Sequence, residues 1–160
     1  MARTLTHLGA MIVASQFITM NVARASDDPL PCFDVSVKAS IVDEVPSPFP
    51  DCGSDCIITS WPWFVDLKVL RVLQGELKDK ELSVLAILHT GHSKVGKRAQ
   101  RRWLRRNSEG GFNLLRLGDD DRLDQCSPDI PPMPAYLIPA EGRTLADDRR
   151  EGERVYKKYQ

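Results

Sequence analysis

The chain has no apolar run long enough to span a bilayer, no glycine-rich phosphate loop, no G-x-S-x-G elbow, and only 3 histidines in 160 residues. Each absence removes a class of function. The longest apolar run, LGAMIVASQFITM, covers about thirteen residues, where a spanning helix needs ~20. Without a glycine loop there is no backbone cradle for the phosphates of a nucleotide. Without a strained elbow the serines lack the exposed geometry of a hydrolase nucleophile. Net charge is missing too, since 22 basic residues balance 22 acidic ones. That balance argues against a dedicated nucleic-acid binder and leaves room only for local patches.

What is present begins with an export signal. Arg3 with no acid, the apolar run, and then Ala23, Arg24 and Ala25 form the charged, apolar and A-x-A parts of a secretory signal peptide. Cleavage is expected after Ala25, with no cysteine at the cut to carry a lipid. Residues 26–160 then form one domain. Removing 1–25 takes away Arg3 and Arg24 but no carboxylate, so the mature chain is slightly acidic. An exported protein, periplasmic or secreted, with no membrane span after processing is the expectation.

Cys32, Cys52, Cys56 and Cys126 all lie in the mature part. An even count in an oxidising compartment implies two disulfides. Three connectivities are open; the favoured one joins Cys52 to Cys56 and Cys32 to Cys126, the second closing a long loop and restraining the unfolded chain most. A redox or zinc role is disfavoured because DCGSDC spaces its cysteines by three residues rather than two, and no second pair sits at zinc-ribbon spacing.

The strongest fold signal is the stretch from Trp61 to His89. Val65, Leu67 and Val69 alternate with Asp66 and Lys68, the two-residue period of a strand with one buried face. The phase then slips to Leu70 and Val72 around Arg71, as a β-bulge would produce. Gly75 in GELKDK supplies the turn. The second run places Leu82, Val84, Ala86 and Leu88 on one face and Ser83, Leu85, Ile87 and His89 on the other, apolar enough on both to be a central strand. Upstream, Phe33, Val35, Val37, Ala39 and Ile41 alternate with polar residues and predict a first strand. Proline-dense residues 46–60 predict a disulfide-pinned loop.

Between Lys94 and Arg106 every charged residue is basic. Read as a helix, Val95, Ala99 and Trp103 share a stripe; read as a strand, Arg102–Arg106 pairs with Phe112–Leu117 across NSEGG. The hairpin is preferred, because a helix would leave FNLLRL without a neighbour. AYLIPA at 135–140 predicts a short last strand. Thr144 with Asp147 resembles a capping box opening a C-terminal helix, with Leu145, Gly152, Tyr156 and Tyr159 on one face. Together these elements predict a mainly β fold: a small OB-like barrel of about five strands with a C-terminal helix.

PWFVDLKVLRVLQGELKDKELSVLAILH also resembles the second and third strands of netrin-like domains, the group that includes the tissue inhibitors of metalloproteinases. The shared pattern is an apolar strand ending in V-L-x-G, followed by a second strand. The resemblance implies the barrel. Inhibitors of that family place a cysteine at the mature N-terminus to bind the protease's zinc. Here Cys32 would lie inside the mature chain, so that mechanism does not carry over.

The functional expectation is an exported, non-catalytic binding or inhibitory module with no cofactor, whose partner is an envelope or extracellular protein or an anionic ligand. Its candidate contact residues are Trp61 and Trp63 at the barrel mouth and Arg98, Arg101, Arg102 and Arg105 in the basic segment. The blander reading makes the tryptophans mouth packing and the arginines a solvated edge balancing Asp119, Asp120, Asp121 and Asp124. Two alternatives are a metal-dependent enzyme using His89 and His92, which lacks an identifiable third ligand, and a structural component of the cell envelope.

Overall fold

The computed structural model describes residues 32–49, 57–89, 98–115 and 123–157. The signal segment, Cys52, Cys56, His92 and Tyr159 lie outside the described residues. Five strands form a closed barrel in the order β1-β2-β3-β5-β4: β1 Val35–Pro46, β2 Ser60–Gln74, β3 Glu81–His89, β4 Gln100–Arg106 and β5 Phe112–Leu114. One helix follows, α1 Leu145–Tyr156. The molecule is thus the mainly β, OB-like barrel with a C-terminal helix that the patterning predicts.

β1 closes the barrel because it pairs antiparallel with β2 along its length and with β4 over Val35–Ala39. To close a barrel this small the paired β1 and β2 must coil, and three bulges let them. Val42 in β1 and Leu70 and Leu73 in β2 are the residues skipped by the register. Each bulge resets the two-residue parity, so that Ile41 and Glu44, and likewise Val69 and Val72, face the interior despite three-residue spacing. The skipped residues are the large apolar side chains left exposed on these strands, at 56% for Val42, 56% for Leu70 and 38% for Leu73. The slip after Val69 was expected. Its consequence differs: Val72 continues the core, while Leu70 is the extra residue and faces solvent.

The interior is filled by Val35, Val37, Val65, Leu67, Val84 and Leu104, all nearly or wholly inaccessible, together with their neighbours. β3 is apolar on both sides for the anticipated reason: Val84 and Ala86 join the barrel core, and Leu85 joins an outer cluster with Val45, Phe64 and Ala135. Leu145 and Tyr136 cover that cluster. β4 and β5 form the expected hairpin, with Arg105 opposite Asn113. One parallel bridge, Leu85 to Asn113, joins β5 to β3.

AYLIPA is not a strand. The backbone N–H of Ala135 donates to Ser108 Oγ at 3.1 Å and that of Tyr136 to Asn113 Oδ1 at 3.3 Å. Side chains meet these groups in place of a ladder, and Pro134 just before the segment and Pro139 within it carry no donor.

α1 opens with the full capping box anticipated from Thr144 and Asp147. Gly152 counts against the helix by propensity, yet it is buried, and a Cβ there would stand 2.0 Å from the carbonyl oxygen of Pro46. The missing side chain is what lets the helix dock on the end of β1. Gly152→Ala should therefore lower protein stability by about 1–3 kcal/mol, although alanine favours an isolated helix by ~1 kcal/mol. A thermal or denaturant midpoint at or above wild type would contradict the docking. Within the barrel, Leu67→Ala should cost about 2–5 kcal/mol through lost burial and a residual cavity. Lys68→Ala, on the wet face, should stay within about 0.5 kcal/mol. Denaturant unfolding of both variants with disulfides intact checks the strand's phase.

Candidate functional site at the disulfide-pinned end of the barrel

One end of the barrel is assembled from segments that carry no regular structure of their own. Cys32 and Cys126 are joined, as expected, across a sequence separation of 94; closing a loop of this size removes about 4–5 kcal/mol of freedom from the unfolded chain in the chain-entropy account. Beside the bridge, Phe33 and Gln125 pair, with the Phe33 N–H donating to Asp124 O and the Cys126 N–H to Phe33 O.

Asp34 gathers the neighbouring groups. Its Oδ2 accepts from Arg105 Nη1 at 2.7 Å and from the Arg106 N–H at 2.6 Å. Arg105 also donates through Nη2 to Pro131 O. Arg105 is only 5% exposed, so its charge needs this partner: removing one member of a buried pair costs ~3–5 kcal/mol. Behind it, Asn113 is inaccessible and makes three bonds, donating to Pro134 O and accepting from Asn107 Nδ2 and the Tyr136 N–H. Asn107 Oδ1 accepts from the N–H groups of Glu109 and Gly111, which shapes the NSEGG turn. Gly75 is required at the facing turn, with φ +78° and no room for a Cβ, which would lie 2.3 Å from Asp34 O.

These segments bound two adjoining clefts that share Glu76, Arg106 and Pro132. One, of about 550 Å³, lies between Gly75, Cys126 and Ile130. The other, of about 430 Å³, lies between Leu77, Lys78, Gly111 and Phe112. Glu76, Lys78 and Arg106 are exposed on their walls. Each cleft falls in the size range of small-ligand sites.

The sequence-derived contact residues do not form one patch. Alternation along β4 sends Arg102 inward, since its register partner is the buried Val37, and sends Arg101 and Arg105 outward. Arg105 is consumed by Asp34. Arg101 donates to Ser36 Oγ and Gln74 Oε1 at 3.0 Å each and lies 5.3 Å from the Trp103 ring centroid. Arg98 is exposed just ahead of β4.

Trp61 and Trp63 sit at the opposite end of the barrel. Their ring centroids are 5.4 Å apart, Phe49 packs edge-on against Trp61, and Tyr156 of α1 packs against Trp63. Trp63 is 6% exposed; the pair packs the mouth. His89 is exposed at the end of β3. Among the described residues no group of three His, Cys, Asp or Glu side chains is placed to hold a metal ion, and no helix is long and apolar enough to cross a membrane.

Arg106 was visible only as part of the basic segment, and nothing in its local sequence distinguishes it from Arg105. Asp34 and Asn113 had no sequence signal either. Asp34 acquires its role from β4 and Asn113 from the returning segment at Pro134 and Tyr136, both distant along the chain.

A third hollow lies on the outer face between Val42, Asp66, Lys68, Glu81 and Ser83. Arg149 of α1 reaches Asp66 with two bonds, Nη1 to Oδ1 at 2.7 Å and Nη2 to Oδ2 at 2.6 Å, and donates to Ser83 Oγ at 2.8 Å. The Arg149 hydrogen bonds hold the Asp66 carboxyl below its ordinary value, and the same pairing raises Arg149. A depressed folded-state value adds stability that is fully present above the unfolded carboxylate pKa of ~3.9 and is lost as pH falls through the folded value. Asp66→Asn should therefore cost about 1–3 kcal/mol near neutrality, with the gap to wild type closing in acid as pH falls through the depressed folded-state value. Urea unfolding at the two pH values measures it; an undiminished gap in acid would contradict the pairing.

With this geometry in hand, comparison with known proteins finds no match: no protein-family model, no curated protein and no solved structure aligns with the chain.

Proposed function

We propose that the protein is an exported, non-catalytic binding module, of the partner-binding or inhibitory kind, and that it meets its partner through the paired clefts around Arg106. The observation that carries this reading is the build of that end: a concave surface whose backbone is held by a disulfide, a buried ion pair and an asparagine network. Rigidity of this sort lowers the ordering cost of association. The exposed guanidinium of Arg106 makes no hydrogen bond or ion pair among the described residues, and arginine flanked by apolar walls is a frequent anchor at interfaces. The walls include Leu77, Phe112, Ile130 and Pro132.

The signal-like start and the disulfide support export to the periplasm or beyond. The netrin-like resemblance of 62–89 supports the barrel, not a function. The partner, on this reading, is an exported or envelope protein that presents an acidic side chain to Arg106.

A photo-crosslinker at Lys78, on the cleft wall, should give one discrete adduct with an envelope or extracellular protein, and Arg106→Glu should weaken its formation about tenfold or more. The same crosslinker at Lys68 should give none. Equal adducts from both positions, or indifference to Arg106→Glu, would reject the cleft as the contact surface. Intact mass of the native protein should correspond to a chain beginning at Ser26 with its thiols oxidised; a retained start with free thiols would reject export.

A further inference from the structure

We propose that the inner wall of the barrel at Arg102 is a binding subsite for a carboxylate group. The proposal is independent of the cleft at Arg106, which lies further along β4 toward the opposite end of the barrel.

Arg102 stands opposite Val37 in the β1–β4 register, and Leu104, next on the same face, stands opposite Val35. Val35, Val37 and Leu104 are core residues with at most 1% exposure. The guanidinium is therefore carried into apolar surroundings. Burial there disfavours its charge, and Glu44, which also faces inward opposite Val65, acts in the other direction. Yet Nε and Nη2 of Arg102 are both buried and neither makes a hydrogen bond among the described residues.

The identity of those two atoms matters. Nε–H and Nη2–H project from one edge of the planar guanidinium, at the spacing that meets the two oxygens of a carboxylate in parallel bonds. An entire recognition edge thus goes without an acceptor among the described residues. Arginine cannot relieve the deficit by losing its proton, and a buried charged donor left unmet is costly. Such a group calls for a bound partner. The charge of Glu44 reaches Arg102 through space, but Glu44 accepts from neither of these two atoms.

The edge also selects its ligand. A halide offers one acceptor atom to two donors. A doubly charged phosphate would add a second negative charge beside Glu44 at low dielectric, where unpaired charge is most expensive. A monocarboxylate matches both the shape and the single charge. Arg102 as a whole is half-buried.

The test is a titration of ¹⁵N-labelled mature protein with sodium acetate at constant ionic strength, with sodium chloride as reference, following the Arg102 Nε–H resonance. Saturable movement with acetate and none with chloride is expected. Arg102→Lys, which keeps the charge and loses the edge, should abolish acetate binding followed by backbone amides. Glu44→Gln should tighten it, since a nearby negative charge that repels the ligand is then removed. Arg106→Lys should change nothing, which separates this site from the cleft. N-acetylglycine distinguishes the source: tighter binding than acetate assigns a peptide C-terminus, and equal or weaker binding assigns a free organic acid. An Nε–H resonance that ignores acetate through the millimolar range, or that moves equally with chloride, would overturn the proposal. Should Arg102→Lys fail to fold, the wild-type resonance and the Glu44→Gln variant still decide.

Discussion

The structure depends on the coiling of the paired β1 and β2 that closes the barrel. β1 pairs with β2 and β4 at once, and no straight strand can do so around a barrel this small. Bulges at Val42, Leu70 and Leu73 supply the bend. They do so at the expense of three exposed apolar side chains, while keeping Ile41, Val69 and Val72 directed to the core. The interior then packs as alternation dictates. The two ends of the barrel and its outer face inherit their geometry from where β1 begins and stops.

Each end is closed by a different kind of chemistry. Where β1 starts, Asp34 holds Arg105 and the Arg106 backbone while Cys32 ties the strand to the loop carrying Cys126. Polar and covalent links produce a surface with defined hollows. Where β1 stops, Pro46 receives Gly152 of the helix, and Trp61, Trp63, Phe49 and Tyr156 stack together. Aromatic packing fills that end. The outer face is covered by the helix and the 135–137 segment over Phe64 and Leu85, with Arg149 bonded to Asp66. Defined hollows at the polar end and filled packing at the aromatic end follow from this division.

The basic segment shows how a strand redistributes a cluster. In sequence Arg101, Arg102, Arg105 and Arg106 form one block of positive charge. On β4 the two-residue period separates them: Arg101 lies over Trp103, Arg102 faces the core, Arg105 is buried against Asp34 and Arg106 opens into the clefts. Four equivalent residues acquire four different environments. A patch read from composition becomes a set of unlike sites once the period is known.

Much of the fold was determined by local sequence. Alternation from Phe33 to Ile41 and from Trp63 to Leu88 specifies strands and their buried faces, because a period of two admits one buried set. The parity slip after Val69 announces a bulge, Gly75 a turn, and Thr144 with Asp147 a helix start, each through chemistry that acts within a few residues. The candidate site was not legible in the same way. Asp34 and Arg105 are 71 positions apart and Asp66 and Arg149 are 83 apart; such pairs exist only after the chain has returned on itself. AYLIPA had the composition of a strand, but the N–H groups of Ala135 and Tyr136 found Ser108 and Asn113 first. Gly152, a helix weakener by propensity, proved necessary because Pro46 lies against it. Short-range sterics and periodicity are written in neighbouring residues, whereas which buried polar group meets which partner is decided only by tertiary contact.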